Sequence, residues 1–123
     1  MKIEVSNGEI LDKMSILEIK MNKIKDEKKI INIQKEYNYL KDISTELSYD
    51  IKSYNALLDI NNKLWNIEDN IREKERNDDF DSEFISLARS VYFTNDKRCE
   101  IKRQININSK SNFVEEKSYK KYN

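Results

Sequence analysis

Residues 6–24 read SNGEILDKMSILEIKMNKI, and this stretch decides the class of the fold. Its apolar side chains recur at three- and four-residue steps, at Ile10, Leu11, Met14, Leu17, Met21 and Ile24. That spacing places them on one face of an α-helix. Ser6, followed three residues later by Glu9, is a capping-box sequence. The stretch therefore predicts an amphipathic helix that begins near residue 7 and ends near residue 25.

The same periodicity continues through most of the chain, which contains one glycine and no proline. After a polar turn at residues 25–29, a second apolar series runs from residue 30 to residue 71. One helix of that length would measure about 60 Å at about 1.5 Å per residue, well beyond the usual length in globular proteins. The pattern therefore predicts a long helix with a kink or break near residues 48–55.

The C-terminal third predicts two shorter helices. Asp81 or Ser82 can cap a third helix that carries apolar residues up to Tyr92. Asn95 then reads as the cap of a fourth helix, with Asp96 in its first turn. From about residue 108 the chain has few apolar anchors, which favours a frayed tail.

These elements predict an all-α protein with a single domain over residues 1–123. The simplest architecture is a long antiparallel helical hairpin of coiled-coil type, with two shorter C-terminal helices folded against it. The broad apolar faces also favour a homodimer. The alternation in residues 1–6 predicts a short N-terminal strand that could pair with residues 112–118.

Composition excludes several classes of function. The chain has no histidine and one cysteine, which rules out the usual zinc, haem and di-iron sites and the Ser-His-Asp and Cys-His nucleophiles. Its 23 basic and 23 acidic side chains cancel, so nucleic acid is not an expected partner, although the residues after 96 are basic. The N-terminus lacks the apolar core of a signal peptide and no run is long enough to span a membrane, which predicts a cytoplasmic protein.

Three groups of polar residues at helical spacing are candidates for chemistry. On the first helix, Glu9, Asp12 and Lys13 could hold Mg²⁺ beside a phosphate, or could form surface ion pairs. In the second group, Trp65 lies next to charged residues that a sugar or nucleotide site would present: Glu68, Asp69 and Arg72. The alternative is a core tryptophan beside an ion pair between residues 68 and 72.

The third group follows Tyr92 and contains Asn95, Asp96, Arg98 and Lys102. If a helix begins at Asn95, its free N–H groups and Arg98 could bind phosphate or carboxylate. Capping and salt bridges between helices are the alternative. Across the three groups, the candidate metal ligands are the four carboxylates Glu9, Asp12, Glu68 and Asp69.

Four stretches resemble a family of short bacterial and phage proteins of unknown function. They are residues 6–24, LWNIEDNIREKE at 64–75, FISLARSVYFTNDKRCEIK at 84–102 and VEEKSY at 114–119. Some members of that family are associated with glycosyltransferases and with genes for surface polysaccharide synthesis. The resemblance implies a role in that context. It does not indicate any catalytic residues.

Two hypotheses follow. The first is a non-enzymatic helical accessory module that binds a partner protein, such as a glycosyltransferase, through its helix faces. The second is a divalent-metal-dependent protein that binds or hydrolyses a nucleotide or nucleotide-sugar. In the second, the four carboxylates hold Mg²⁺ while Lys13, Arg72 and Arg98 contact the phosphates.

Overall fold

The computed structural model describes residues 1–122, which form an all-α fold as predicted. Its four helices are α1 (Asn7–Lys23), α2 (Glu27–Ser44), α3 (Ile51–Arg76) and α4 (Ser82–Asn108). No helix among residues 1–122 is both long and apolar enough to cross a membrane.

The first helix begins where its capping sequence predicts. The Ser6 hydroxyl accepts a hydrogen bond from the backbone N–H of Glu9 at 3.2 Å and so satisfies one of the free N–H groups at the helix start. The Glu9 side chain does not complete the capping box, because it accepts a hydrogen bond from Lys102 instead. The apolar face of α1 is buried through Leu11 and Met14.

The predicted break in the second apolar series is confirmed. Residues 45–50 separate α2 from α3, and Asp50 caps α3 by accepting a hydrogen bond from the backbone N–H of Lys52 at 2.9 Å. The earlier turn follows the same rule, because the Asp26 carboxylate caps α2. α3 then continues for 26 residues, about 39 Å.

The predicted pair of short C-terminal helices is wrong, because α4 runs without a break from Ser82 to Asn108. Asp81 is its N-cap, one of the two residues predicted for that role. Asn95 lies in the middle of the helix, with its side chain directed to Arg98. The polar run does not end the helix, since it contains no glycine or proline and its side chains find partners across the helix interface.

The predicted N-terminal strand is also wrong. Among residues 1–122 there is no strand, and residues 1–6 and 112–118 do not form a ladder. Ile3 remains 79% exposed, so the alternating pattern has no apolar layer to pack against. A single side-chain hydrogen bond, from Asn112 to Glu4 at 3.1 Å, joins the two segments.

The helices pack as two hairpins, and α1 joins one to the other. α1 and α2 form the first, with only residues 24–26 between them, and α3 and α4 form the second. α1 contacts both α3 and α4, whereas the backbone of α2 lies close to that of α1 only, and its side chains Tyr37 and Leu40 reach the core. The buried core lies between the two hairpins: Leu11, Met14, Tyr54, Leu57 and Ile105.

One core residue predicts a dependence of stability on pH. The Tyr54 hydroxyl donates to Glu18 at 2.8 Å, and burial, reinforced by that hydrogen bond, raises the pKa of Tyr54. The raised pKa stabilises the fold below about pH 10, the usual pKa of tyrosine, and the contribution is lost as the pH rises through the folded-state pKa. Replacing Tyr54 with Phe is expected to cost about 1 kcal/mol at pH 7 and progressively less above pH 10.

Urea unfolding of wild type and of Tyr54→Phe, from about pH 7 to about pH 11, measures the difference in their free energies of unfolding. Tyr39→Phe is the matched control, because Tyr39 is 52% exposed. A free-energy gap between wild type and Tyr54→Phe that stays constant up to pH 11 would contradict the assignment.

Candidate functional site

A buried ion pair joins the first and last helices. Asp12 on α1 is 1% exposed, and its carboxylate accepts two hydrogen bonds from the Arg98 guanidinium on α4. The Nε bond measures 2.9 Å. This two-point geometry fixes the plane of the guanidinium. The hydrogen bonds from Arg98 to Asp12 raise the pKa of Arg98 despite its partial burial, so the guanidinium stays charged.

Neutral polar side chains complete this pair. The Asn61 amide donates to the Asp12 carboxylate and to the Ser15 hydroxyl, both at 2.8 Å. Arg98 donates from Nη1 to the Asn95 side-chain carbonyl at 3.1 Å. These five buried or half-buried side chains thus bring α1, α3 and α4 to one point, with no buried side-chain polar atom left without a partner among residues 1–122.

Lys102 extends the network by one helical turn. Its ammonium donates to Glu9 at 2.8 Å and lies 3.8 Å from a carboxylate oxygen of Asp12. It also lies 3.8 Å from a carboxylate oxygen of Glu115 in the tail. Three carboxylates therefore surround one lysine whose side chain is 12% exposed, and they compensate its charge in place.

α1 and α4 approach each other closely at Gly8. The Gly8 N–H donates to the Asn106 side-chain carbonyl at 2.6 Å. A Cβ atom at Gly8 would lie 2.6 Å from the backbone oxygen of Lys102 and 2.9 Å from the Asn106 side chain. The only glycine of the chain thus sets the helix separation at which Asp12 meets Arg98.

An open groove of about 430 Å³ lies beside the network, between α1, α3 and α4. Its apolar lining residues are Ile16, Ile19, Leu64 and the half-buried Trp65. Its polar lining residues are Asn61, Glu68, Asp69, Arg72 and Arg98. At the rim, Arg72 Nε lies 3.5 Å from Glu68 Oε2, in the pair predicted from their spacing.

The structure brings most of the predicted site residues together and leaves two apart. Glu9, Asp12, Asn95, Arg98 and Lys102 form the network, and Arg98 connects it to the groove. Trp65, Glu68, Asp69 and Arg72 line that groove. Lys13 lies elsewhere, in an exposed pair with Glu36 at 3.1 Å. Asp96 accepts a hydrogen bond from Tyr122, whose pKa this contact raises to about 12.

One of the predicted binding modes loses its structural basis. No helix begins at Asn95, so the predicted anion site at a helix N-terminus is wrong. In the part of the chain that the structure describes, no group of three or more His, Cys, Asp or Glu side chains is close enough to hold a metal ion. The two oxygens of Asp12 are already bound to Arg98 and Asn61.

Sequence reasoning missed Asn61, Ser15 and Asn106. Asn61 is buried between Leu57 and Leu64 on an apolar helix face, and a polar residue on such a face signals a buried hydrogen-bond partner. Ser15 interrupts the α1 face in the same way. Nothing in the sequence around Asn106 indicates its hydrogen bond to Gly8.

Comparison with known proteins identifies one related group. A family model described as a family of unknown function (DUF6165) matches residues 1–122. Searches of the curated proteins and of the solved structures found no match.

Proposed function

Since the chain belongs to this family of unknown function, we propose from its own geometry that it is a non-enzymatic helical module that binds a partner protein. The observation that carries the proposal is an exposed apolar tip on the α3–α4 hairpin. We define the tip as residues 77–85. Phe80 and Ile85 there are 55% and 56% exposed, and exposed aromatic and aliphatic side chains are characteristic anchors of protein interfaces.

The tip holds its apolar side chains in a fixed position. The Lys74 ammonium lies between three carboxylates, 3.2 Å from Asp79, 3.1 Å from Asp81 and 3.2 Å from Glu83. Its hydrogen bonds to Asp81 and Asp79 raise the pKa of Lys74. The ring of Phe80 meets that of Phe84 edge-on, with 5.2 Å between centroids. A preorganised tip loses less conformational entropy on binding than a flexible one.

The charges at the core support binding rather than catalysis. Arg98 and Lys102 are each compensated by carboxylates of the same chain, as is typical of structural networks rather than of groups that transfer protons. The magnesium-dependent alternative needs ligands that converge, and the four candidate carboxylates do not form such a group. The interaction module is therefore the better-supported function.

The resemblance to proteins associated with glycosyltransferases supports a specific partner class. We propose that the tip contacts a glycosyltransferase of surface polysaccharide synthesis in the cytoplasm, and the second candidate is another copy of the chain. Either partner would cover Phe80 and Ile85. The two candidates are distinguished by identifying which protein contacts position 80.

Site-specific photo-crosslinking tests the proposal. A photoreactive phenylalanine analogue replaces Phe80 in native cells, and crosslinked products are identified by mass spectrometry. The matched control places the same analogue at Ile31, which is 68% exposed on α2. We expect one defined glycosyltransferase adduct from position 80 that is absent from position 31 and is lost when Ile85→Asp is added.

Other outcomes have clear meanings. A product of twice the chain mass would assign the tip to a homodimer. The same adducts from both positions, or none from position 80, would contradict a docking role for the tip.

A further inference from the structure

The groove at Trp65 is separate from the hairpin tip and has its own chemistry. Its volume of about 430 Å³ lies within the usual range for small-molecule sites, about 300–1,000 Å³. Its lining combines apolar side chains with a few polar groups, the composition expected where a ligand must be both covered and oriented. The exposed tip residues Phe80 and Ile85 do not line it.

Arg98 presents prearranged donors to this groove. A guanidinium has five N–H groups, of which Asp12 and Asn95 accept three. The remaining two N–H groups have no acceptor among residues 1–122. The Arg98 side chain is 24% exposed. Because Asp12 fixes the guanidinium plane, these donors can bind an oxygen acceptor without losing side-chain entropy.

The groove also contains hydrogen-bond acceptors, which are carboxylates. Glu68 and Asp69 lie next to each other at the groove and can accept hydrogen bonds. A ligand that uses both kinds of polar group must therefore donate to a carboxylate and accept from a guanidinium. A hydroxyl group can both donate and accept a hydrogen bond.

The charge of the groove decides between ligand classes. Arg98 is paired with Asp12 and Arg72 with Glu68, which leaves the exposed Asp69 as the excess charge. A diphosphate would add two or more negative charges beside that carboxylate, without a metal group to offset them. An uncharged polyhydroxyl ring meets no such repulsion.

We infer that this groove binds a neutral saccharide. The C–H face of a pyranose ring packs on Trp65 and its apolar neighbours, while ring hydroxyls donate to Asp69 and accept from Arg98. This goes beyond the proposed protein-binding function, since it assigns a different surface and a small ligand.

Trp65 is itself the probe for the first test. It is the only tryptophan, so emission excited at wavelengths that tyrosine does not absorb reports on the groove alone. The purified full chain is titrated with glucose, galactose, N-acetylglucosamine and a disaccharide to about 100 mM, enough to detect a Kd of about 1 mM or weaker. UDP, with and without Mg²⁺, and spermidine are the charged comparators. We expect a saturable change in Trp65 emission with at least one neutral sugar.

Two matched variants locate the binding. Asp69→Asn keeps the size of an exposed side chain, and we expect it to weaken sugar binding about tenfold by removing a charged acceptor. Asp59→Asn makes the same change at another exposed position of α3 outside the groove, and we expect unchanged binding. Equal melting temperatures confirm that both variants fold.

The inference fails on any of three results. The first is no saturable change with any neutral sugar. The second is equal weakening by both variants, and the third is saturation by UDP or spermidine with none by the sugars. A disaccharide that binds more tightly than its monosaccharide would support an oligosaccharide as the natural ligand.

Discussion

Replacing Asp12 with Ala is expected to lower the free energy of unfolding by about 3–5 kcal/mol, the usual cost of removing one partner from a buried ion pair. Asp12 is 1% exposed and accepts hydrogen bonds from Arg98 and Asn61. Its removal leaves Arg98 without its compensating charge. We expect the lower part of the range, since the Arg98 side chain keeps 24% exposure and can recruit water. Urea unfolding followed by circular dichroism measures the loss.

Such a loss approaches the whole stability of many domains, about 5–15 kcal/mol, so a milder variant is needed. Asp12→Asn keeps the shape and the acceptor for Asn61 but removes the charge, and we expect an intermediate loss. The double variant Asp12→Leu with Arg98→Met removes both charges and should recover most of the stability. If Asp12→Ala costs less than about 1 kcal/mol, the pair does not hold α1 on α4.

The positions of the helices could be predicted because their signals are local. Ser6 and Asp81 cap helices from within three residues of their partners, and the apolar spacing of α1 depends on its own turn geometry. The break before Ile51 follows from helix length. In each case the residues that decide the structure are adjacent in the sequence.

The role of Asn95 could not be predicted from its neighbours. A polar run after an apolar one resembles a corner, but Arg98 in that run is paired with Asp12, 86 residues away in the sequence. Judged from the neighbouring residues alone, these charges would be unpaired in the middle of a helix. Only part of the groove could be predicted, for the same reason. Trp65 and Asp69 lie on one helix, whereas Arg98 comes next to them only in the folded chain.

The second large effect is expected at Gly8, where Ala should destabilise the protein by about 1–3 kcal/mol, the typical cost of overpacking. The sign is informative, because Ala normally stabilises a helix relative to Gly by up to about 1 kcal/mol. Here the added Cβ would lie 2.6 Å from the backbone oxygen of Lys102. That atom cannot move without shifting α4, and a shift would also lengthen the bonds between Asp12 and Arg98.

A second substitution separates the two clashes at Gly8. Adding Asn106→Ala removes the side chain 2.9 Å from the new Cβ but leaves the Lys102 backbone oxygen in place, so the double variant should not recover the loss. Gln104→Ala, on the exposed face of α4, is the control and should change stability by less than about 0.5 kcal/mol. If Gly8→Ala is neutral or stabilising in urea unfolding, the close approach of the two backbones does not set the spacing between α1 and α4. If the double variant recovers full stability, the Asn106 side chain sets that spacing and the backbone of α4 does not.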